Sequence, residues 1–222
     1  MKIEVIIPVI NCDMADALLN QIDFNTIKPS RVIVIDNTSR GYHWRVSEDF
    51  DLNICYSKTG LVNESWELGR SKVSQDTYCI AILNDDLIIG DWFFERILDT
   101  FESNNECAIA CPNTVDKITK VEEGPVEYRF DGNKRMPGWA YVIRKDVFDQ
   151  VPPIPYDRIT TFCGDSWYWG HIKRMGYVWG KDLGNNIYHY VGTSVLPLGF
   201  RNIKKKERNE WLKIKHETWR DK

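Results

Sequence analysis

Two adjacent carboxylates at the end of an apolar run are the first residues in this sequence that suggest chemistry. In Tyr78-Cys-Ile-Ala-Ile-Leu-Asn-Asp-Asp-Leu-Ile-Ile-Gly90, Asp85 and Asp86 follow a stretch that reads as a buried strand from Tyr78 to Leu83. In an open α/β sheet, ligands bind at the C-terminal ends of the strands. Keeping two neighbouring carboxylates ionised there is costly without a cation or firm hydrogen bonds. Magnesium or manganese suits a site of oxygen ligands. The competing reading of Asn84-Asp-Asp86 is a polar turn in which an aspartate caps the next segment. A second strand, Arg31-Val-Ile-Val-Ile-Asp36, also ends in a carboxylate, and there too a turn-capping role competes with ligand binding.

The elements that must position these acids follow from periodicity. Ile3 to Val9 reads as a strand stopped by Pro8, which cannot donate to a ladder. Asp13 is placed to cap a helix carrying Met14, Leu18 and Ile22. Leu52 to Tyr56 is a third strand, and a helix with Asn63, Trp66, Leu68 and Val73 follows Gly60. Asp91 is placed to cap a helix that buries Trp92, Phe93, Ile97 and Phe101, before a strand at Ala108–Cys111. Such alternation predicts a doubly wound, mostly parallel sheet. No Gly-x-Gly-x-x-Gly and no Walker-type Gly-Lys-Ser/Thr follows any strand, which disfavours dinucleotide oxidoreductases and P-loop NTPases.

The second half changes character. Val115 to Pro137 is charged and reads as a loop or hairpin excursion. Gly138–Ile143 reads as a strand, Asp146–Val151 as a short helix, and Pro152–Pro155 as a surface segment. Ser166–Met175 is an aromatic helix for which Asp165 makes a good N-cap. Tyr177–Trp179 and Asn186–Tyr190 read as two strands, and Arg201–Lys222 as a basic amphipathic helix with Ile203, Trp211, Ile214 and Trp219.

Composition bounds the class. With 222 residues and 43% hydrophobic content the chain can bury a sizeable core, as one domain rather than two. A net charge of −3 leaves no global field that would draw it to nucleic acid or membrane. No apolar stretch is long enough to span a bilayer, and the first residues read as a strand rather than a signal peptide. Cys12, Cys55, Cys79, Cys107, Cys111 and Cys163 lack zinc-type spacing and read as free, mostly buried thiols, which points to the cytoplasm.

In this order the motifs resemble those of the family 2 glycosyltransferases of the GT-A fold, from Ile3 to about Ser194. Ile6-Ile-Pro8 is similar to their opening strand, and Val34-Ile-Asp-Asn-Thr-Ser39 to the motif whose aspartate holds the nucleotide base. Gly60-x-x-Asn63-x-x-Trp-x-x-Gly69 resembles their segment beside the nucleotide, and Leu83-Asn-Asp-Asp86 their metal motif. Gly138-Trp-Ala-Tyr-Val-Ile-Arg144 resembles their acceptor-side strand. Gly164-Asp165 is similar to the Glu-Asp pair whose second acid is the base of inverting members, and Ile187-Tyr-His-Tyr-Val-Gly-Thr-Ser194 to their late histidine motif. The chain departs from the pattern at Gly164, where relatives carry glutamate, and at Asn84, where many carry an acid.

The resemblance implies a three-layer α/β/α fold with a mostly parallel central sheet. Residues 1–200 would form one domain, with a nucleotide-sugar-binding half (1–112) and an acceptor-binding half (113–200), and 201–222 would follow as the basic helix. It implies a metal-dependent transferase moving a sugar from a nucleoside-diphosphate sugar, a UDP-sugar first, to a hydroxyl with inversion. Asp165 would be the base; Pro8, Asp36, Asn63 and Asp85 would bind the donor; Asp86 and His189 would hold manganese or magnesium. Trp139 and Trp167, each adjoining such a residue, are placed near the acceptor. Bland roles compete: a helix cap for Asp165, a core histidine for His189, core packing for the tryptophans. The acceptor stays open between a saccharide, a lipid-linked saccharide and hydroxymethylated DNA. Lys204-Lys-Lys-Glu-Arg208 reads as a solvated helix face or an anionic-surface contact. The rival functions are a nucleotidyltransferase, disfavoured because Pro8–Asp13 contains no glycine, lysine or arginine, and a non-catalytic nucleotide-sugar-binding domain.

Overall fold

The structure, a computed structural model, describes residues 1–38, 44, 49–115, 126–129, 136–190 and 200–219. The strands are β1 (Ile3–Val9), β2 (Arg31–Asp36), β3 (Asp51–Tyr56), β4 (Cys79–Leu83), β5 (Leu87–Ile88), β6 (Cys107–Thr114), β7 (Val126–Arg129), β8 (Ala140–Arg144) and β9 (Val178–His189). The helices are α1 (Cys12–Phe24), α2 (Val62–Arg70), α3 (Phe93–Ser103), α4 (Lys145–Phe148), α5 (Gly164–Arg174) and α6 (Phe200–Trp219). The sheet runs β3-β2-β1-β4-β8-β6-β9-β5, with β7 also on β9. Strands β3, β2, β1 and β4 are mutually parallel, β8 is antiparallel between β4 and β6, and β6 and β9 are parallel.

Both faces of this sheet are covered, which is why β2 and β4 are nearly continuous apolar runs. Successive residues of β1 alternate between layers. Val5, Ile7 and Val9 pack with Leu18 and Ile22 of α1 and Phe93, Phe94 and Ile97 of α3. Ile6 turns to the other side, with Trp66 of α2, Tyr168 and Ile172 of α5 and Ile214 of α6. The result is the expected three-layer α/β/α arrangement. From β1 the chain winds outward to β2 and β3, then returns to β1's other side as β4. Asp36, Asp85 and Asp86 therefore end strands on either side of the crevice where the winding reverses.

Several local expectations are corrected. Pro8 does not stop β1; it lies inside the strand opposite Ile35, and pairing with β4 has already ended at Ile6↔Ile82, so no ladder bond is lost on that side. Asn11, not Asp13, caps α1 by accepting from the Met14 N–H at 3.2 Å. Asp91 does not cap α3; Asn25 accepts from the Phe94 N–H instead, and Trp92, 51% exposed, stands outside the core. Val73 lies beyond the end of α2. The two late strands are one strand, β9, broken by a register irregularity opposite Pro112 and Asn113. There Arg96 forks onto the buried Asp182 carboxylate at 2.6 and 2.7 Å. Within the expected excursion from Val115 to Pro137 the chain returns as β7 beside β9; residues 116–125 and 130–135 lie outside the described residues.

Candidate active site

Four of the residues singled out in the sequence meet at the C-terminal edge of the sheet. The β5–β9 ladder pairs Leu87 with His189, and the Tyr190 N–H donates to the Asp86 carbonyl at 3.0 Å. That register brings Nε2 of His189 to 3.1 Å from Oδ1 of Asp86, with Asp86 1% exposed. The approach has ion-pair distance without the alignment of a hydrogen bond. Trp139 fixes the imidazole from its other face: the rings stack with centroids 5.1 Å apart and planes 10° apart. Trp139 is itself held by its indole N–H on Thr114 Oγ1 (2.9 Å) and by its carbonyl, which accepts from the Asn84 N–H (2.8 Å). Beside it, a Cβ on Gly138 would stand 3.0 Å from Oδ2 of Asp165, so the missing side chain leaves room for that carboxylate beside Gly138.

Asp85 has a different task. Its Oδ2 accepts from the N–H groups of Ile10 and Asn11, each at 2.7 Å, and so holds the β1–α1 turn to the end of β4. Burial pushes its carboxyl up to about 6, against those two bonds, with the Asp86 charge adding to the rise. Only Oδ1 is left for a donor contact.

On the opposite wall Asp36 is 1% exposed. One oxygen accepts from both the N–H and the hydroxyl of Thr38 at 2.7 Å, as the turn reading required. The other, Oδ2, is buried and has no hydrogen-bond partner among the described residues. Leaving a buried carboxylate oxygen without a donor is costly. Pro8 of β1 pairs with Ile35 of β2, the strand that carries Asp36, and lies just before the turn that Asp85 holds. Ser39 and residues 191–194 of the family-like motifs lie outside the described residues.

Two residues assigned to ligands are committed elsewhere. Asn63 is fully buried, and its amide donates to the carbonyls of Ile159 (2.7 Å) and Phe162 (3.1 Å), while its backbone N–H donates to Thr160 O (3.0 Å). Its amide nitrogen and backbone N–H hold the loop ahead of α5. Trp167 is buried against α6, with its indole N–H on Pro152 O (2.8 Å) and its ring against His171, Trp211 and Trp219. This places it in the layer behind the sheet, away from Trp139. Asp165 does not cap its helix: the cap position is Cys163, in the left-handed region at φ 66°, and Asp165 lies in the first turn.

If a divalent cation binds here, Asp86 and His189 are the pair that would hold it. Two ligands at about 2.1 Å and a right angle are about 3.0 Å apart, close to the separation found here. No cluster of three or more His, Cys, Asp and Glu gathers for a metal among the described residues. The remaining positions would fall to diphosphate oxygens and water, as is usual for magnesium.

The chain is thus a mostly parallel sheet between two helical layers, with acidic residues at strand ends around the switch point. S. aureus TarS shares this fold. A TarS 1–349 crystal structure in complex with UDP matches with a TM-score of 0.66 and 14% identity, covering 96% of this chain and 66% of that one. The same segment in another crystal structure matches at 0.64 and 13%, and a longer TarS chain, of which 40% is covered, at 0.63 and 13%. The chain thus spans just under two thirds of the TarS 1–349 segment. Identities this low establish the shared fold and do not single out family 2. No family model matches the chain, and no curated protein is detectably similar in sequence. No helix among the described residues is long and apolar enough to cross a membrane.

Proposed function

We propose that the chain is a metal-dependent, inverting glycosyltransferase of the family 2 type that moves a sugar from a UDP-sugar to a hydroxyl. The observation that supports it most is the convergence of Asp86 Oδ1 and His189 Nε2 at 3.1 Å, across the crevice from the unfilled Oδ2 of Asp36. The UDP seen with TarS, whose fold this chain shares, favours uridine as the base.

Asp36 accepts a ring N–H of the base, and the Asp85-held turn supplies the wall beside the diphosphate. Asp86 and His189 hold manganese or magnesium, which when bound neutralises charge on the leaving diphosphate. Trp139 keeps the imidazole facing Asp86 and lines the acceptor side. Asp165, lying against Gly138, takes the acceptor proton as the hydroxyl attacks. Attack from the face opposite the leaving group inverts the anomeric carbon.

A thermal-shift screen of nucleoside diphosphates with and without manganese tests this reading. UDP at about 100 times its dissociation constant should stabilise the protein by about 2.7 kcal/mol. The gain should require manganese and vanish in Asp86→Ala. Equal, metal-independent responses to every nucleotide, or none, would overturn the reading.

A further inference from the structure

The loop that delivers Asp165 is gripped from two sides, and one grip comes from α6. Within the basic run Lys204–Arg208, Glu207 is 4% exposed while its lysine and arginine neighbours face solvent. Its carboxylate accepts from the Thr160 hydroxyl, from the Thr161 N–H at 3.0 Å and from the Phe162 N–H at 2.7 Å. Asn63 of α2 takes the complementary groups of the same loop, the carbonyls of Ile159, Thr160 and Phe162. Carbonyls therefore point to one helix and N–H groups to the other, and the loop has little freedom between them.

The place of this loop in the chain ties the grip to chemistry. Cys163 adopts the left-handed conformation, and Gly164 then starts α5 so close to α2 that a Cβ there would meet Asn63 Oδ1 at 2.2 Å. Asp165 is the next residue. Arg158, just before the loop, adds ion pairs to Glu210 at 2.5 Å and Glu217 at 2.7 Å of α6. All three acids of α6 thus turn inward to the segment from Arg158 to Phe162.

We propose that Glu207 is a positioning residue that sets the placement of Asp165 through the loop 160–162, making α6 part of the catalytic apparatus rather than an appended basic helix. This rests on the reading of Asp165 as the base. A displacement of about 1 Å at such a group can cost on the order of 100-fold in rate.

The test compares Glu207→Ala, Glu207→Gln and Asp165→Asn for UDP-sugar turnover, with UDP–manganese titration and amide hydrogen exchange on each. Glu207→Ala should lower kcat by roughly 10- to 100-fold while leaving the donor KM and UDP affinity unchanged. Glu207→Gln, which keeps an acceptor oxygen, should recover part of the loss. Exchange should quicken at Thr161 and Phe162 and extend to the Asp165 amide. Combining Glu207→Ala with Asp165→Asn should cost no more than Asp165→Asn alone. Unchanged kcat in a Glu207→Ala protein whose loop has loosened overturns the proposal, as does a loss carried by KM alone. If Glu207→Ala does not fold, Glu207→Gln carries the same comparisons. If wild type turns over no UDP-sugar, the functional reading fails separately. The exchange data then decide the positioning claim, and an unaltered Asp165 amide refutes it.

Discussion

His189 Nε2 stands 3.1 Å from Asp86 Oδ1 because a two-residue ladder, Leu87–Ile88 against Tyr188–His189, fixes the register between β5 and β9. Shifting that pairing by one residue would turn His189 to the opposite face. Trp139 adds the second constraint by stacking on the imidazole. Two short pieces of sheet and one aromatic contact therefore bring together groups from distant parts of the chain.

Asp165→Asn keeps the size of the side chain and removes the proposed base. Turnover should fall by roughly 10²- to 10⁴-fold, the usual contribution of a positioned general base. UDP affinity, measured by calorimetry, should stay within error of wild type, because Asp165 lies on the Gly138 side of the site and Asp36 on the other.

Asp36→Ala removes both the acceptor offered to a ligand and the anchor of Thr38. Nucleotide affinity should weaken by about 1.5–3 kcal/mol, the scale of a hydrogen bond to a charged group. The loss should be largest for nucleotides whose base carries a ring N–H. Equal weakening of UDP and CDP would show that only the turn had been damaged.

His171 sits against Trp167 and Trp219, and burial, reinforced by Arg174, lowers its pKa to about 4. Between about 4 and the ordinary value of 6.5 the unfolded chain binds more protons at this position than the native one. Stability should therefore fall as pH drops through that window and be unaffected by this group above it. His171→Phe should flatten that part of the difference between melting curves at pH 7 and pH 4.5.

Cys79, Cys107 and Cys111 are fully buried, and burial pushes the Cys79 and Cys107 thiols up to about 12. Cys12, Cys55 and Cys163 are partly accessible. Titration of the native protein with a thiol reagent should modify at most these three quickly. The remaining three should react only in denaturant, which buried, non-nucleophilic thiols require.

The parallel strands of the first half were legible because local pattern and tertiary environment agree there. Arg31–Asp36 and Cys79–Leu83 are apolar throughout their interiors since both faces are covered, and each ends at the C-terminal edge of the sheet. The carboxylates at those ends followed from that placement. Residues whose role depends on distant partners were not legible. Asn63 resembled a nucleotide contact, yet its partners are carbonyls nearly a hundred positions away. Glu207 was hidden in a run of lysines, although its spacing with Trp211 and Ile214 places it on the inward face of α6.

The sequence by itself determined the layered fold, the acids at the strand ends and the separation of apolar from polar faces, because these depend on periodicity and on where runs stop. Tertiary structure alone decided which oxygen of each acid is spent and which is left. Asp85 went to the β1–α1 turn, Asp36 kept Oδ2 without a hydrogen-bond partner among the described residues, and Asp86 met His189. Hydrogen-bond partners are set by through-space geometry to within a few tenths of an ångström, and residue order does not encode that directly.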